Sequence, residues 1–352
     1  MIMDPRLSSS DPRLPPELEW LVFEQAALSR PTGIPGLMLI AWRVKNWLEP
    51  LLYRIIIVGP ALPPLGGFRT LTTDRLREIM ATKPPSFFQD SVKHLYLRAS
   101  GWDTGVDEIL TTCCRLTSLF VQFRPAKHIY VLNTQQCLRR LAVSIEQAFE
   151  NHPADLPHPF FRNVTHLEVL DSSRVFKDLL TLVRRLALMP SLTHVAFNTA
   201  AYEIEFYEAL RADTRLHCVV FLSLTLLERV KVGTLIPDDY RFVCVKEDTD
   251  YRLDWVRGVD VGDNYWVRAE AFIAARRAGR VADWSTLSVH VVRTVWPLVI
   301  VIVFGYKKRV LSTTVLAFCA CLKHFQSGIY VETELMVARD SRFRGFRWLR
   351  NE

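Results

Sequence analysis

The chain has 352 residues, 49% of them hydrophobic and 23% charged, a composition that marks a globular protein and excludes wholesale disorder. Its net charge is +7, but nine Lys/Arg stand against four Asp/Glu from Lys307 onward, so the first 306 residues carry only +2. A body without basic excess argues against a nucleic-acid groove. Seven cysteines at irregular spacings outline no disulfide framework, and residues 1–10 lack the apolar core of a signal peptide. The expectation is a protein with reduced thiols in the cytoplasm or nucleus.

Residues 1–13 read as a flexible lead-in. A helix is predicted to open at Leu14-Pro15-Pro16-Glu17-Leu18, with proline in the first turn, where a missing N–H costs nothing. Leu18, Leu21, Val22 and Ala26 then follow helical spacing. Ser29 to Gly36 holds two prolines and two glycines and reads as a break. A second amphipathic helix is predicted over Leu37 to Glu49, with Leu37, Ile40, Val44, Trp47 and Leu48 on one side. Leu51 to Val58 then reads as a buried strand.

The middle of the chain repeats one pattern, apolar-x-x-apolar-x-apolar. It occurs at Val92–Leu97, Leu116–Val121, Leu138–Val143, Val164–Val169, Leu192–Phe197 and, more weakly, Leu216–Phe221, with starts 24, 22, 26, 28 and 24 residues apart. A period in the twenties with one strand per period is the signature of leucine-rich-repeat-like solenoids, whose units bury their apolar faces only by stacking. Helices fall between the strands: Thr73 to Thr82, Gly105 to Arg115, Ser144 to Asn151 and Ser172 to Met189. The asparagine that many such repeats place after the strand is missing, so the repeats are irregular. His152 to Pro159, with three prolines and two histidines, reads as a solvated loop.

The opening Leu14-Pro15-Pro16-Glu17-Leu18 with Val22 and Phe23 resembles the start of an F-box, and Val44, Trp47 and Leu51 to Arg54 resemble its closing helix and exit strand. The repeats behind it are similar to the irregular leucine-rich repeats that follow many F-boxes, particularly in large fungal families. The resemblance spans residues 14 to about 282. It implies that residues 14–50 dock on the adaptor subunit of a cullin-based ubiquitin ligase. It also implies that the repeats of residues 51–282 hold a target protein on their strand face. The docking residues it points to are Leu14, Pro15, Glu17, Leu18, Leu21, Val22, Phe23, Val44 and Trp47.

After the repeats, Arg241 to Val245 reads as a last strand, Gly258 to Gly262 as a turn and Asp263 to Arg280 as a helix capped by Gly279. Residues 283–352 leave the pattern. Val295–Phe304 and Val310–Leu322 are apolar, but neither reaches the ~20 residues of a membrane span. A packed element, a membrane-associated hairpin and translated intron sequence are the three readings of this tail.

No catalytic constellation stands out: there is no Gly-x-Ser-x-Gly, phosphate-cradling glycine loop or His-Glu-x-x-His. The chain is expected to be non-enzymatic, with no cofactor and no metal site. His94, His166 and His194 share the third place of their repeats, which on stacked strands sets them in one column. That column reads either as a polar ladder on a binding face or as a surface preference of these repeats. The rival functions are a repeat scaffold without a ligase link and a membrane-associated protein anchored through residues 295–322.

Overall fold

The computed structural model describes residues 14–59, 67–98, 105–150, 158–171, 179–198, 204–222, 239–245 and 251–280. The lead-in, the tail, most of the His152–Pro159 loop and the first half of the Ser172–Met189 helix lie outside these residues.

The repeated apolar triplets form a nine-stranded, wholly parallel sheet in a mixed α/β fold. Ile55–Val58 (β1) is flanked on its outer side by the short Thr70–Leu71 (β2), which the sequence pattern did not announce. On its inner side follow His94–Arg98 (β3), Ser118–Gln122 (β4), Arg140–Val143 (β5), His166–Val169 (β6), His194–Phe197 (β7), Cys218–Leu222 (β8) and Phe242–Val245 (β9), in chain order. The register repeats with the sequence: Leu95, Leu119, Leu141, Leu167, Val195 and Val219 are Cα partners from strand to strand. The leading residue of each triplet, from Val92 to Leu216, is buried two positions before its strand.

Strand residues alternate between two faces. The Leu95 face packs on helices: Thr73–Met80 (α4), Pro85–Ser91 (α5), Val106–Thr112 (α6), Ile129–Leu132 (α7), Ile145–Ala148 (α8), Leu179–Ala187 (α9) and Ile204–Ala212 (α10). Preceding these in the chain are Pro16–Ser29 (α1), Ile34–Leu37 (α2) and Trp42–Leu52 (α3). Local chemistry starts two of the outer helices. Thr72 and Ser144 accept N–H bonds from Arg75 and Gln147 as side-chain caps. Buried Asp171 reaches back from the next unit to take the Ile145 N–H at 2.6 Å.

The other face is closed as well. Tyr251–Asp260 (α11) and Tyr265–Arg277 (α12) lie across it. Trp255, Val256 and Val259 pack on Ile57, Tyr96, Phe120 and Ala142. Tyr265, Trp266, Ala269 and Ile273 pack on Ala196, Val220 and Val243. The strand face expected to hold a target is therefore covered by the chain's own helices. The physical reason is legible in the strands, which are apolar on both faces, as in other parallel sheets covered on both sides. All five residues of β8 and all four of β9 are buried.

Several expectations are corrected. The second helix does not start at Leu37: α2 stops there, and α3 begins at Trp42 and runs through Leu51 and Leu52, so only Ile55–Val58 is strand. Gly258 is not in a turn but inside α11, where a Cβ would come within 2.4 Å of Asn264 Nδ2. Glycine is needed there for the close approach of α11 to the cap of α12, since the Asn264 side chain accepts the Val267 N–H. His158 is not solvated. It is 4% exposed, packs on Phe149 and Phe160, and lies 3.2 Å from the Ala148 carbonyl.

Candidate functional site

Two regions bring chemically distinctive groups together. The first is the N-terminal helical module. Ala27, Ile34, Val44 and Leu48 make a small core of their own, with Phe23, Leu37, Trp47 and Leu51 packed against it. Arg43 of α3 grips Glu19 of α1 with two bonds, Nε to Oε2 at 3.0 Å and a second nitrogen to Oε1 at 2.7 Å. This closes the inner face of α1 and leaves the outer one bare. Leu14, Leu18, Leu21 and Val22 are 43–48% exposed; Leu14 lies just before the helix, and the i, i+3, i+4 spacing puts Leu18, Leu21 and Val22 on one side of it. Ile40 and Trp42, at the entry to α3, are also exposed.

Of the residues the resemblance singled out, Leu14, Pro15, Glu17, Leu18, Leu21 and Val22 are at the surface. Phe23 and Trp47 are half-buried. Val44 is fully buried, so it holds the module together rather than offering surface. The module meets the repeats through α3: Glu49 pairs with Lys83 at 2.9 Å, and Tyr53 packs edge-on against Phe87 and Phe88.

The second region is the polar seam beneath α11 and α12. His94, Ser118, Arg140, His166, His194 and Cys218 form one row of Cα partners across the sheet, so the predicted histidine column exists, interrupted by Ser118 and Arg140. In the next row, between Ala142 and Ala196, stands Glu168, 5% exposed, which accepts a bond from the Tyr265 hydroxyl at 2.9 Å. Burial, reinforced by the Glu168 charge, holds the Tyr265 phenol well above its usual pKa, so it stays a neutral donor. Asp254 accepts the Tyr265 N–H at 3.1 Å and is neutralised by Arg268. A cavity of about 20 Å³, lined by Ser118, Arg140, His166, Glu168 and Asn264, sits at this junction. That is room for one water molecule.

His166 and His194 stack face to face, ring centroids 4.1 Å apart and planes 8° apart, under the edge-on ring of Trp266. His194 Nε2 lies 2.9 Å from Glu270 Oε1, on the exposed flank of α12. Burial lowers the pKa of all three column histidines. His94 falls to about 3 with help from Arg54, Arg140 and Lys93, and His166 to about 3 with help from His194 and Arg140. For His194 burial outweighs the pull of Glu270.

Two repeated devices escaped the sequence reading. Thr117, Thr165 and Thr193 each donate a hydroxyl to a carbonyl of the preceding unit, at Lys93, Arg139 and Thr165. Asp213-x-Arg215 and Asp239-x-Arg241 each orient an arginine onto carbonyls at the end of the previous helix: Met189 and Ala187 for the first, Arg211 and Asp213 for the second. The signals were present as Thr after the leading apolar residue and as Asp-x-Arg before it.

Compared with family models, curated proteins and solved structures, the chain finds no match. Among the described residues no helix is long and apolar enough to cross a membrane, and the 295–322 segment lies outside those residues.

Proposed function

We propose that the protein is a non-enzymatic adaptor whose N-terminal helices dock on the adaptor subunit of a cullin-based ubiquitin ligase. The sheet and its outer helices form an irregular leucine-rich-repeat solenoid that carries a target protein. The observation that supports docking is the outer face of α1, where Leu18, Leu21 and Val22 stand exposed, with Leu14 just before them, although the helix has an inner face already packed. Contiguous exposed apolar residues of this kind mark contact surfaces. The solenoid reading draws on the chain-ordered parallel strands and the register that repeats with the sequence period. Because α11 and α12 cover the strand face, the target is held by another surface.

The test is a pull-down of the full chain with the purified ligase adaptor, beside the double variant Leu18→Asp, Val22→Asp. Capture by the parent and loss in the folded variant support the reading. A folded parent that fails to bind overturns it and leaves the second reading, a repeat scaffold without a ligase link. That reading draws on buried Val44 and Leu48 and on the Glu49–Lys83 pair, which suit a module that shields the first unit.

A further inference from the structure

We propose that His166, His194 and Glu270 form a binding site for one divalent transition-metal ion, of the zinc class. Three separate segments supply the ligands: adjacent strands at paired register positions and one turn of α12. One nitrogen of each ring and one carboxylate oxygen all lie within 4.8 Å of one another. Two imidazoles and a carboxylate are the donor set that zinc takes when it keeps positions open. Here the open side faces solvent, because the Glu270 side chain is 52% exposed while that of His194 is 11% exposed.

The surrounding bonds prepare both rings for this role. Thr165 Oγ1 lies 2.9 Å from His166 Nδ1, and Thr193 Oγ1 lies 2.7 Å from His194 Nδ1. Each hydroxyl also reaches a backbone carbonyl, Arg139 at 3.1 Å and Thr165 at 3.2 Å. A hydroxyl has one proton. When it goes to the carbonyl, the oxygen accepts from Nδ1–H, and the lone pair of that ring is left on Nε2. For His194 that lone pair faces the Glu270 carboxylate at 2.9 Å, two acceptors that need a cation between them. Without metal the neutral ring carries its one proton on Nε2, towards Glu270, and the Thr193 hydroxyl turns to Nδ1; a metal ion on Nε2 moves that proton to Nδ1. Such outer partners are what orient histidine ligands in metal sites.

The geometry asks for a small adjustment. Bonds of about 2.1 Å in a tetrahedron put ligand atoms about 3.4 Å apart. The His194–Glu270 pair is already at 2.9 Å, and the ion turns the two rings out of their parallel stack so that both Nε2 lone pairs converge. Arg140, partner of His166 in the row, opposes the ion's charge, and Glu270 offsets it.

The experiment is a calorimetric titration of the metal-free full chain with Zn²⁺, with Co²⁺ visible absorption as the readout of coordination. The variants are Glu270→Gln, His166→Asn and Thr193→Val. Glu270 is exposed, so its variant keeps the fold whatever the histidine variant does. The expected result is one ion per chain in the parent and loss of that ion in Glu270→Gln and His166→Asn. Removing the orienting hydroxyl in Thr193→Val should weaken binding about 10- to 100-fold. No stoichiometric binding by the parent overturns the proposal. So does binding that Glu270→Gln leaves unchanged, which would place the ion elsewhere in the chain.

Discussion

The helices that precede the sheet in the chain and those that follow it treat their apolar side chains in opposite ways. Trp255 and Trp266 of α11 and α12 are buried to 6–9% exposure against the strands, with Trp255 edge-on to Tyr96 at 5.9 Å and to Phe120 at 6.2 Å. The leucines of α1 lie on a helix of similar length and remain at the surface. Among the described residues, the strands cover the apolar side chains of α11 and α12, while Leu18, Leu21 and Val22 of α1 stay exposed. Apolar content alone does not distinguish the two; the presence of a complementary face on the same chain does.

This contrast breaks most visibly at the C-terminal end. Replacing Trp255 with Ala should destabilise the protein by about 3–5 kcal/mol, read from urea unfolding, because it empties a space that no neighbour fills. Tyr265→Phe is expected to cost about 1–3 kcal/mol, since it strips the donor from buried Glu168 without changing ring packing. If Tyr265→Phe were neutral, the seam would be better solvated than its burial indicates.

The pH response sharpens the same comparison. His94 titrates near 3 in the fold and near its usual 6.5 when unfolded. Between these values the unfolded chain binds a proton that the folded one refuses, so stability falls as pH drops from 6.5 towards 3. The slope from this group is at most about 1.4 kcal/mol per pH unit. His94→Asn should remove that share of the slope, measured as the difference in unfolding free energy between parent and variant across this range. At the open end of the molecule the expected effect is smallest. Leu18→Asp with Val22→Asp should shift stability by no more than about 0.5 kcal/mol per site while abolishing adaptor capture. A large loss of stability there would mean that α1 is packed, not presented.

The strands were legible because each repeat places its apolar residues at the same three positions, and nothing else in the chain has that period. Thr72 and Ser144 likewise mark helix starts through a local bond between a side chain and an N–H three residues on. Helix limits around Leu37 to Leu52 were misjudged, because apolar residues there serve a helix core and a strand within a few positions. Gly258 looked like a turn, because sequence shows a glycine's freedom but not the Asn264 side chain lying against it.

The sequence by itself determined the strands β3 to β8, their order and the alignment of His94, His166 and His194, since these follow from a period and an alternation carried by neighbouring residues. The tertiary structure alone decided that α11 and α12 return over the second face, and that Glu270 arrives beside His194 from 76 residues away. No local pattern encodes such a return: it is settled by which distant surface buries the most apolar area. The same competition leaves the outer face of α1 uncovered.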